Sequence, residues 1–367
     1  MSKPPVPLSR PLYVLVSTPS NLVGQGGIDR MMAALRRALL RRGGDDVDVR
    51  FLVSRGSGSV ALSPLHVAGF CVRMAAARLA GRVDVVHINL SSHGSTYRKL
   101  VIAAVARALG IAYVLHLHGS QYQTFWKDDG GFLARRIAAM FEKAARVVVL
   151  GRAWRDFVEA RAPGAAGRIV IVPNATESPV LEHVGGGESV HILFLGRIGE
   201  RKGVPQLIEA LGQIGDLGGW RATVAGDGEV EAARAAVAAA GLAGRVSLPG
   251  WVGTEEVAAL IASADILALP SFAENLPVSV IEGMASGLAI VTTPVGAVED
   301  IVLDGETGLL VAPGDVDGLA QALRRLVGDA ALRARLGAAA RQLHGERLEL
   351  GAFAEALCKV WRAAAES

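Results

Sequence analysis

Ile266-Leu267-Ala268-Leu269 runs into Pro270-Ser271-Phe272-Ala273-Glu274-Asn275-Leu276-Pro277-Val278-Ser279-Val280-Ile281-Glu282-Gly283-Met284. An apolar run, a short polar loop and an apolar-periodic stretch opened by Pro277 predict a buried strand, a loop and a helix. A strand without polar alternation is covered on both faces, the condition of a parallel sheet flanked by helices. Ligands of such sheets bind beyond the carboxyl ends of the strands, which places residues 270–278 at a binding edge. Asn275 is the predicted N-cap, with backbone N–H groups between Leu276 and Ser279 open to a ligand. Glu274 on the loop and Glu282 in the helix then bracket that terminus. The pair suits a ligand with hydroxyls at two places and phosphates between them.

Working outward, strand-like runs alternate with helical patterns along the whole chain. The first set is Tyr13–Val16, Val47–Val53, Val83–Ile88, Ala112–Leu117, Arg146–Leu150 and Ile169–Val172. The second is His191–Leu195, Ala222–Ala225, Val246–Leu248, Ile266–Leu269, Ala289–Thr292 and Gly308–Val311. Strand–helix alternation of this kind predicts two doubly wound α/β domains. The Gly185-Gly186-Gly187 stretch predicts the linker, giving domains at 1–180 and 188–345 and a last segment, 346–367, packing back on the first domain.

The 367 residues are 51% hydrophobic and 20% charged, which excludes intrinsic disorder. Cys71 and Cys358, the two cysteines, lie in apolar stretches and are expected free, in a reducing compartment. Residues Met1 to Ser20 lack a secretory pattern, and no uninterrupted apolar run is expected to reach the roughly 18 residues of a spanning helix, the longest candidate, Leu100 to Leu117, being broken by Arg107 and Gly110.

The net charge of +3 conceals a division. Residues 1–180 carry 24 basic and 11 acidic residues, and residues 181–367 carry 14 basic and 24 acidic. The first half's bases cluster on helix-like stretches with apolar neighbours: Arg36, Arg37, Arg41 and Arg42; Arg98 and Lys99; Arg135, Arg136, Lys143 and Arg146. That pattern predicts an anionic surface as partner. Nucleic acid is not expected, because aromatics amount to 5% of the chain and do not interleave with the bases.

Two further loops follow strands. Gly24-Gln25-Gly26-Gly27-Ile28-Asp29-Arg30 opens a helix and lets backbone approach a phosphate, though without the G-x-G-x-x-G spacing. Gly196-Arg197-Ile198-Gly199-Glu200-Arg201-Lys202-Gly203 places Arg197 and Lys202 where a diphosphate would sit. No residue set has zinc spacing, and Asp46-Val47-Asp48 and Asp315-Val316-Asp317 read as turn and cap residues.

The Glu274-x7-Glu282 pair, the Gly196-Arg197-x4-Lys202-Gly203 loop, Gly226-Asp227-Gly228 and Gly305-x2-Gly308-Leu309-Leu310-Val311 together resemble glycosyltransferase family 4. Gly26-Gly27, His118-Gly119 and Val172-Pro173-Asn174 carry the resemblance in the first half. It departs at Ala175 and at Gly296-Ala297, where many relatives have glycine.

The resemblance implies the GT-B fold, two Rossmann-like domains facing a central cleft, and a retaining hexosyl transfer from a UDP- or GDP-hexose. It implies Glu274 on donor-sugar hydroxyls, Glu282 on the ribose, and Arg197 and Lys202 on the departing diphosphate. Gly196, Asn275, Leu276, Pro277 and Val278 complete the donor contacts, Gly26 and Gly27 cap the distal phosphate, and His118 lies beside the reacting carbon. Ser91, His93, Ser120 and Tyr122 are expected acceptor contacts, the acceptor being a lipid-linked or other glycan. Neither metal nor cofactor is expected. The location expected is cytoplasmic, on the inner face of the plasma membrane. A sugar-nucleotide epimerase and a non-catalytic nucleotide-sugar-binding protein are the alternatives.

Overall fold

Strands form where the sequence is continuously apolar. The computed structural model describes residues 10–20, 22, 26–43, 46–56, 58–127, 129–185 and 187–367. They divide into two units, residues 1–173 with 350–367, and residues 174–349.

The first unit begins β1 (Leu12–Thr18), α1 (Gly27–Arg42), β2 (Val47–Val53), α2 (Ser63–Leu79), β3 (Val85–Leu90) and α3 (Gly94–Ala108). It continues β4 (Ala112–Leu117), α4 (Tyr122–Phe125), α5 (Phe132–Glu142), β5 (Arg146–Val149), α6 (Arg152–Arg161) and β6 (Ile169–Ile171). The strands lie parallel in the order β2-β1-β3-β4-β5-β6. Every residue of β3 is buried, whereas β2, at the edge, is only half covered.

The second unit starts β7 (Val190–Leu195), α7 (Val204–Gln213), β8 (Trp220–Ala225), α8 (Val230–Ala239), β9 (Val246–Gly250) and α9 (Thr254–Ser263). Then come β10 (Ile266–Leu269), α10 (Val278–Ala285), β11 (Ala289–Thr292), β12 (Leu309–Leu310), α11 (Val316–Gly328) and α12 (Ala330–Arg347). Its parallel order is β12-β11-β10-β7-β8-β9. The strand order reverses between β7 and β10 here and between β1 and β3 in the first unit, so each switch point leaves a crevice at the carboxyl ends.

The boundary differs from the expected 180–188 linker. Residues after Pro173 already hydrogen-bond to the second unit: the Asn174 amide donates to Leu276 O at 2.8 Å and the Thr176 N–H to Leu348 O at 3.1 Å. Val184 N–H reaches Ala262 O at 2.9 Å, which pins the glycine stretch as well; Gly186 lies outside the described residues. The last helix, α13 (Leu350–Ala365), belongs to the first unit. Its buried Leu350, Phe353, Ala354, Leu357, Cys358 and Trp361 recur at helical spacing and pack toward α1, β3 and β4. The expected segment 346–367 is therefore cut at Glu349–Leu350. Both cysteines are free, with Cys358 buried and Cys71 half-buried.

Candidate active site

At the β7–β10 switch point, two loops are tied to each other. Phe272 N–H donates to Arg201 O at 2.9 Å, and the Arg201 guanidinium donates to Ala273 O at 2.9 Å. Between them the Lys202 ammonium donates to Glu274 Oε1 at 2.5 Å, with side chains only 14% and 9% exposed. Such a pair is held because removing either partner strands a charge with little water around it. Glu274 is further fixed from behind. Gly296 has φ +64, and a Cβ there would collide with the carbonyl oxygens of Glu274 and Asn275. The next residue, Ala297, donates its N–H to Asn275 O at 2.7 Å.

Helix α10 starts at the same edge, directly after Glu274. Pro277, not Asn275, is the N-cap, because its extended φ of −72° and ψ of 125° break the chain direction where the helix begins; no side chain caps the terminus. The predicted cap at Asn275 is therefore corrected, while Leu276 and Pro277 are buried and Val278 begins the helix. An uncapped N-terminus with its dipole attracts an anion. Glu282 is half-buried one turn into α10. Arg197 is exposed beyond Gly196, with no hydrogen-bonded acid among the described residues. The structure thus brings Lys202 onto Glu274 beside Gly196, whose Cβ position would lie 3.6 Å from the Lys202 side chain, while Arg197 follows Gly196 and Glu282 lies one turn into α10. The Asp-x-Asp strings are used elsewhere: Asp315 caps α11 by accepting from Gly318 N–H at 2.8 Å, and Asp48 pairs with Arg50 at 3.3 Å.

In the first unit, Gly26 is the N-cap of α1 and Gly27 its first residue. A Cβ on either would meet nothing within 4 Å among the described residues, so these do not demand glycine there. Gly24 and Gln25 lie outside the described residues.

His118, half-buried, follows β4. The Asn89 amide donates to Ser17 O at 2.9 Å, which leaves its oxygen to accept from His118 Nε2 at 2.9 Å. That network assigns the His118 proton to Nε2 and leaves Nδ1 as an acceptor. Burial, then the neighbouring His87, push the His118 pKa down to about 3. Behind it, the His116 ring lies tilted by 36° against His118 with centroids 3.9 Å apart. His116 Nδ1 meets His87 Nε2 at 3.2 Å, and His87 Nδ1 accepts from Trp361 Nε1 at 3.0 Å. Burial lowers His87 to about 4 and lowers His116 as well. The imidazole at this edge is therefore neutral, with Nδ1 available as an acceptor.

Two expectations fail here. Tyr122 is fully buried among Phe125, Trp126 and Phe141, its hydroxyl 3.3 Å from Thr96 Oγ1, so it is a core residue and not an acceptor contact. Lys99 is not on the basic surface either. Its ammonium donates to Ser54 Oγ at 2.5 Å and Ser17 Oγ at 3.2 Å, and burial pushes its pKa down to about 7. The signal was present: Thr96, Lys99, Ile102, Ala103 and Ala106 share the inward face of α3. Ser91 and Ser120 are half-buried at the ends of β3 and β4, and His93 is exposed with its ring 4.9 Å from Phe125. Gly119 brings these loops together, since a Cβ there would press on the Ser91–Ser92 backbone.

Comparison with known proteins places the chain in a family and a fold. Residues 25–178 match the family described as Glycosyltransferase Family 4, and residues 189–329 match Glycosyl transferases group 1. The chain is 30% identical over 318 residues to 2-deoxystreptamine N-acetyl-D-glucosaminyltransferase of Streptomyces fradiae, covering 79% of this chain and 73% of that one. It is 34% identical over 146 residues to the lipopolysaccharide core biosynthesis glycosyltransferase LpsE of Rhizobium meliloti, covering 40% and 42%. The solved structure of Anabaena HepE in complex with UDP and glucose superposes with a TM-score of 0.74 at 17% identity, over 96% of this chain and 100% of that one. At that identity the likeness shows a shared fold, GT-B.

Proposed function

The chain belongs to the glycosyltransferases of group 1 and family 4, and on that premise we propose a retaining hexosyltransferase that moves sugar from a nucleotide-sugar donor to a lipid-linked glycan. It would act in surface or exopolysaccharide synthesis, in the cytoplasm on the inner face of the plasma membrane. The observation that carries this reading is the Lys202–Glu274 pair beside the open N-terminus of α10. Without ligand, each neutralises the other. With donor bound, Lys202 and Arg197 turn to the diphosphate, the α10 N–H groups join them, and Glu274 is released to the sugar hydroxyls. Glu282 takes the ribose, and Gly26 and Gly27 leave room for the distal phosphate.

The bond from the sugar's anomeric carbon to the phosphate oxygen breaks, and its electron pair leaves with the phosphate. Fixed cations and helix N–H groups stabilise the charge that develops there. The acceptor oxygen forms the new bond on the same face, and its proton passes to the departing phosphate oxygen. His118 Nδ1 accepts a sugar hydroxyl and holds the ring in place. The same-face route is favoured over a covalent one. Among the described residues of the first unit, the one buried carboxylate, Asp29, already accepts from Ser20 N–H at 3.1 Å. The cations fill the role that a metal has in other transferases, so the reading includes no metal and no cofactor.

A second acceptor class follows from the deoxystreptamine-directed relative. An amine-bearing acceptor is cationic at neutral pH and meets a first half with 24 basic and 11 acidic residues, so an anionic acceptor is the better electrostatic match. A thermal-shift panel with UDP, GDP and their hexoses tests the donor. UDP and a UDP-hexose should raise the melting point by several degrees at a hundred times Kd, where stabilisation is about 2.7 kcal/mol. GDP should do less. A panel in which no nucleotide stabilises the protein would overturn the donor site.

A further inference from the structure

We infer that the outer face of α2, flanked by α3 and α5, is the surface that seats the protein on an anionic phospholipid bilayer. The inference rests on the membrane reading above and names the face that does the binding. Residues Val60–Leu79 form a twenty-residue helical stretch of mean hydropathy 1.4, long and apolar enough to cross a membrane. They do not need to cross one. Val67, Phe70 and Met74 on one side of α2 are buried in the first unit. The opposite side carries Leu65, Ala68, Val72, Ala76 and Leu79 at spacings of three and four, all exposed. Leu65 is 69% exposed, Val72 68% and Leu79 91%, and the turn before α2 adds Val60 and Leu62. An exposed apolar stripe on a packed helix is the geometry of an element lying in the plane of the interface.

The neighbours extend it. Helices α2, α3 and α5 pack in succession, and α3 and α5 add exposed Tyr97, Val101 and Phe132. The Arg136 guanidinium lies over the Phe132 ring, 5.7 Å from its centroid. Charge decides the occupant. Arg73, Arg78, Arg98, Arg107, Arg135 and Arg136 lie on these helices, and the one acid is Glu142, at the far end of α5. Apolar residues inserted among cations match lipid tails beneath anionic headgroups. A second copy docked on the same face would oppose like charges. The Arg36, Arg37, Arg41 and Arg42 cluster sits on α1, which packs with α13 and lacks such a stripe: one large apolar residue, Leu40, is exposed there.

Co-sedimentation with vesicles of phosphatidylcholine, alone or mixed with phosphatidylglycerol, at physiological salt tests this. The wild-type chain should bind the mixed vesicles and not the neutral ones. Leu65→Glu with Val72→Glu should lower the partition at least tenfold while the UDP thermal shift persists, and Arg36→Gln with Arg37→Gln should change it less than twofold. Full binding by the α2 variant with loss in the α1 variant would move the surface to α1 and overturn the inference. Wild-type protein bound to neither vesicle would remove both the surface and the membrane reading, while a retained UDP shift would leave the transferase reading standing. A dimer in light scattering that the α2 variant abolishes would assign the face to a second copy instead.

Discussion

Glu274→Ala should lower the turnover of a nucleotide-hexose by about 10²–10³-fold, the effect of removing one group from a preorganised site, about 3–4 kcal/mol of barrier. The split between steps is the diagnostic part. In the free protein Glu274 occupies the Lys202 ammonium at 2.5 Å. Removing the carboxylate releases that cation toward the diphosphate, so UDP itself binds at least as tightly as to wild type. Sugar hydroxyls lose their anchor and turnover falls. Glu274→Gln keeps a hydrogen-bonding group of the same size without the charge, and its turnover lies between the two. A variant that lost UDP affinity and turnover together would show Glu274 to be a scaffold for the loop and not a contact to the sugar.

Acid weakens the first unit more than its composition suggests. The ordinary histidine pKa is near 6.5, while burial holds His118 at about 3 and His87 at about 4 and lowers His116. As pH falls below 6.5 the unfolded chain takes up protons that the folded chain refuses, so stability falls with pH. At pH 5 the loss is about 2 kcal/mol for His118 and for His87, and the buried His116 adds to it in the same direction. Melting temperature should therefore decline steadily from pH 6.5 toward pH 4, and His116→Phe should flatten that slope. Asn89→Asp sets a carboxylate where the amide oxygen stands, 2.9 Å from His118 Nε2, and raises the histidine's pKa. Protonated Nδ1 no longer accepts a hydroxyl, so the acid limb of the pH–rate profile shifts upward. A profile merely scaled down, with its limb unmoved, would show Asn89 to support the fold alone.

The fold was legible because buried parallel strands leave continuous apolar runs. Ile266–Leu269 and Ala289–Thr292 fall where their composition puts them. Glu274, Lys202 and Arg197 stood out as candidates because ligands of such sheets bind at loops after strands, and the structure sets Lys202 on Glu274 there. The linker was misplaced for a physical reason: glycine content suggests freedom, but Val184 N–H on Ala262 O decides where the chain is held. Tyr122 and Lys99 were misplaced because polar side chains were taken as surface groups, whereas a phenol on Thr96 and an ammonium between two serines are satisfied inside. The role of Asn89 depends on Ser17, 72 residues away, a pairing that β1 and β3 create by lying side by side.

The anomer first released from a UDP-α-hexose tests the central claim most directly. Water stands in for the acceptor, and proton NMR follows the sugar before mutarotation mixes its forms. Same-face transfer predicts the α-sugar appearing first, in step with UDP, and its loss in Glu274→Ala. The β-sugar appearing first would contradict retention, and no UDP released from any hexose donor would contradict transfer itself.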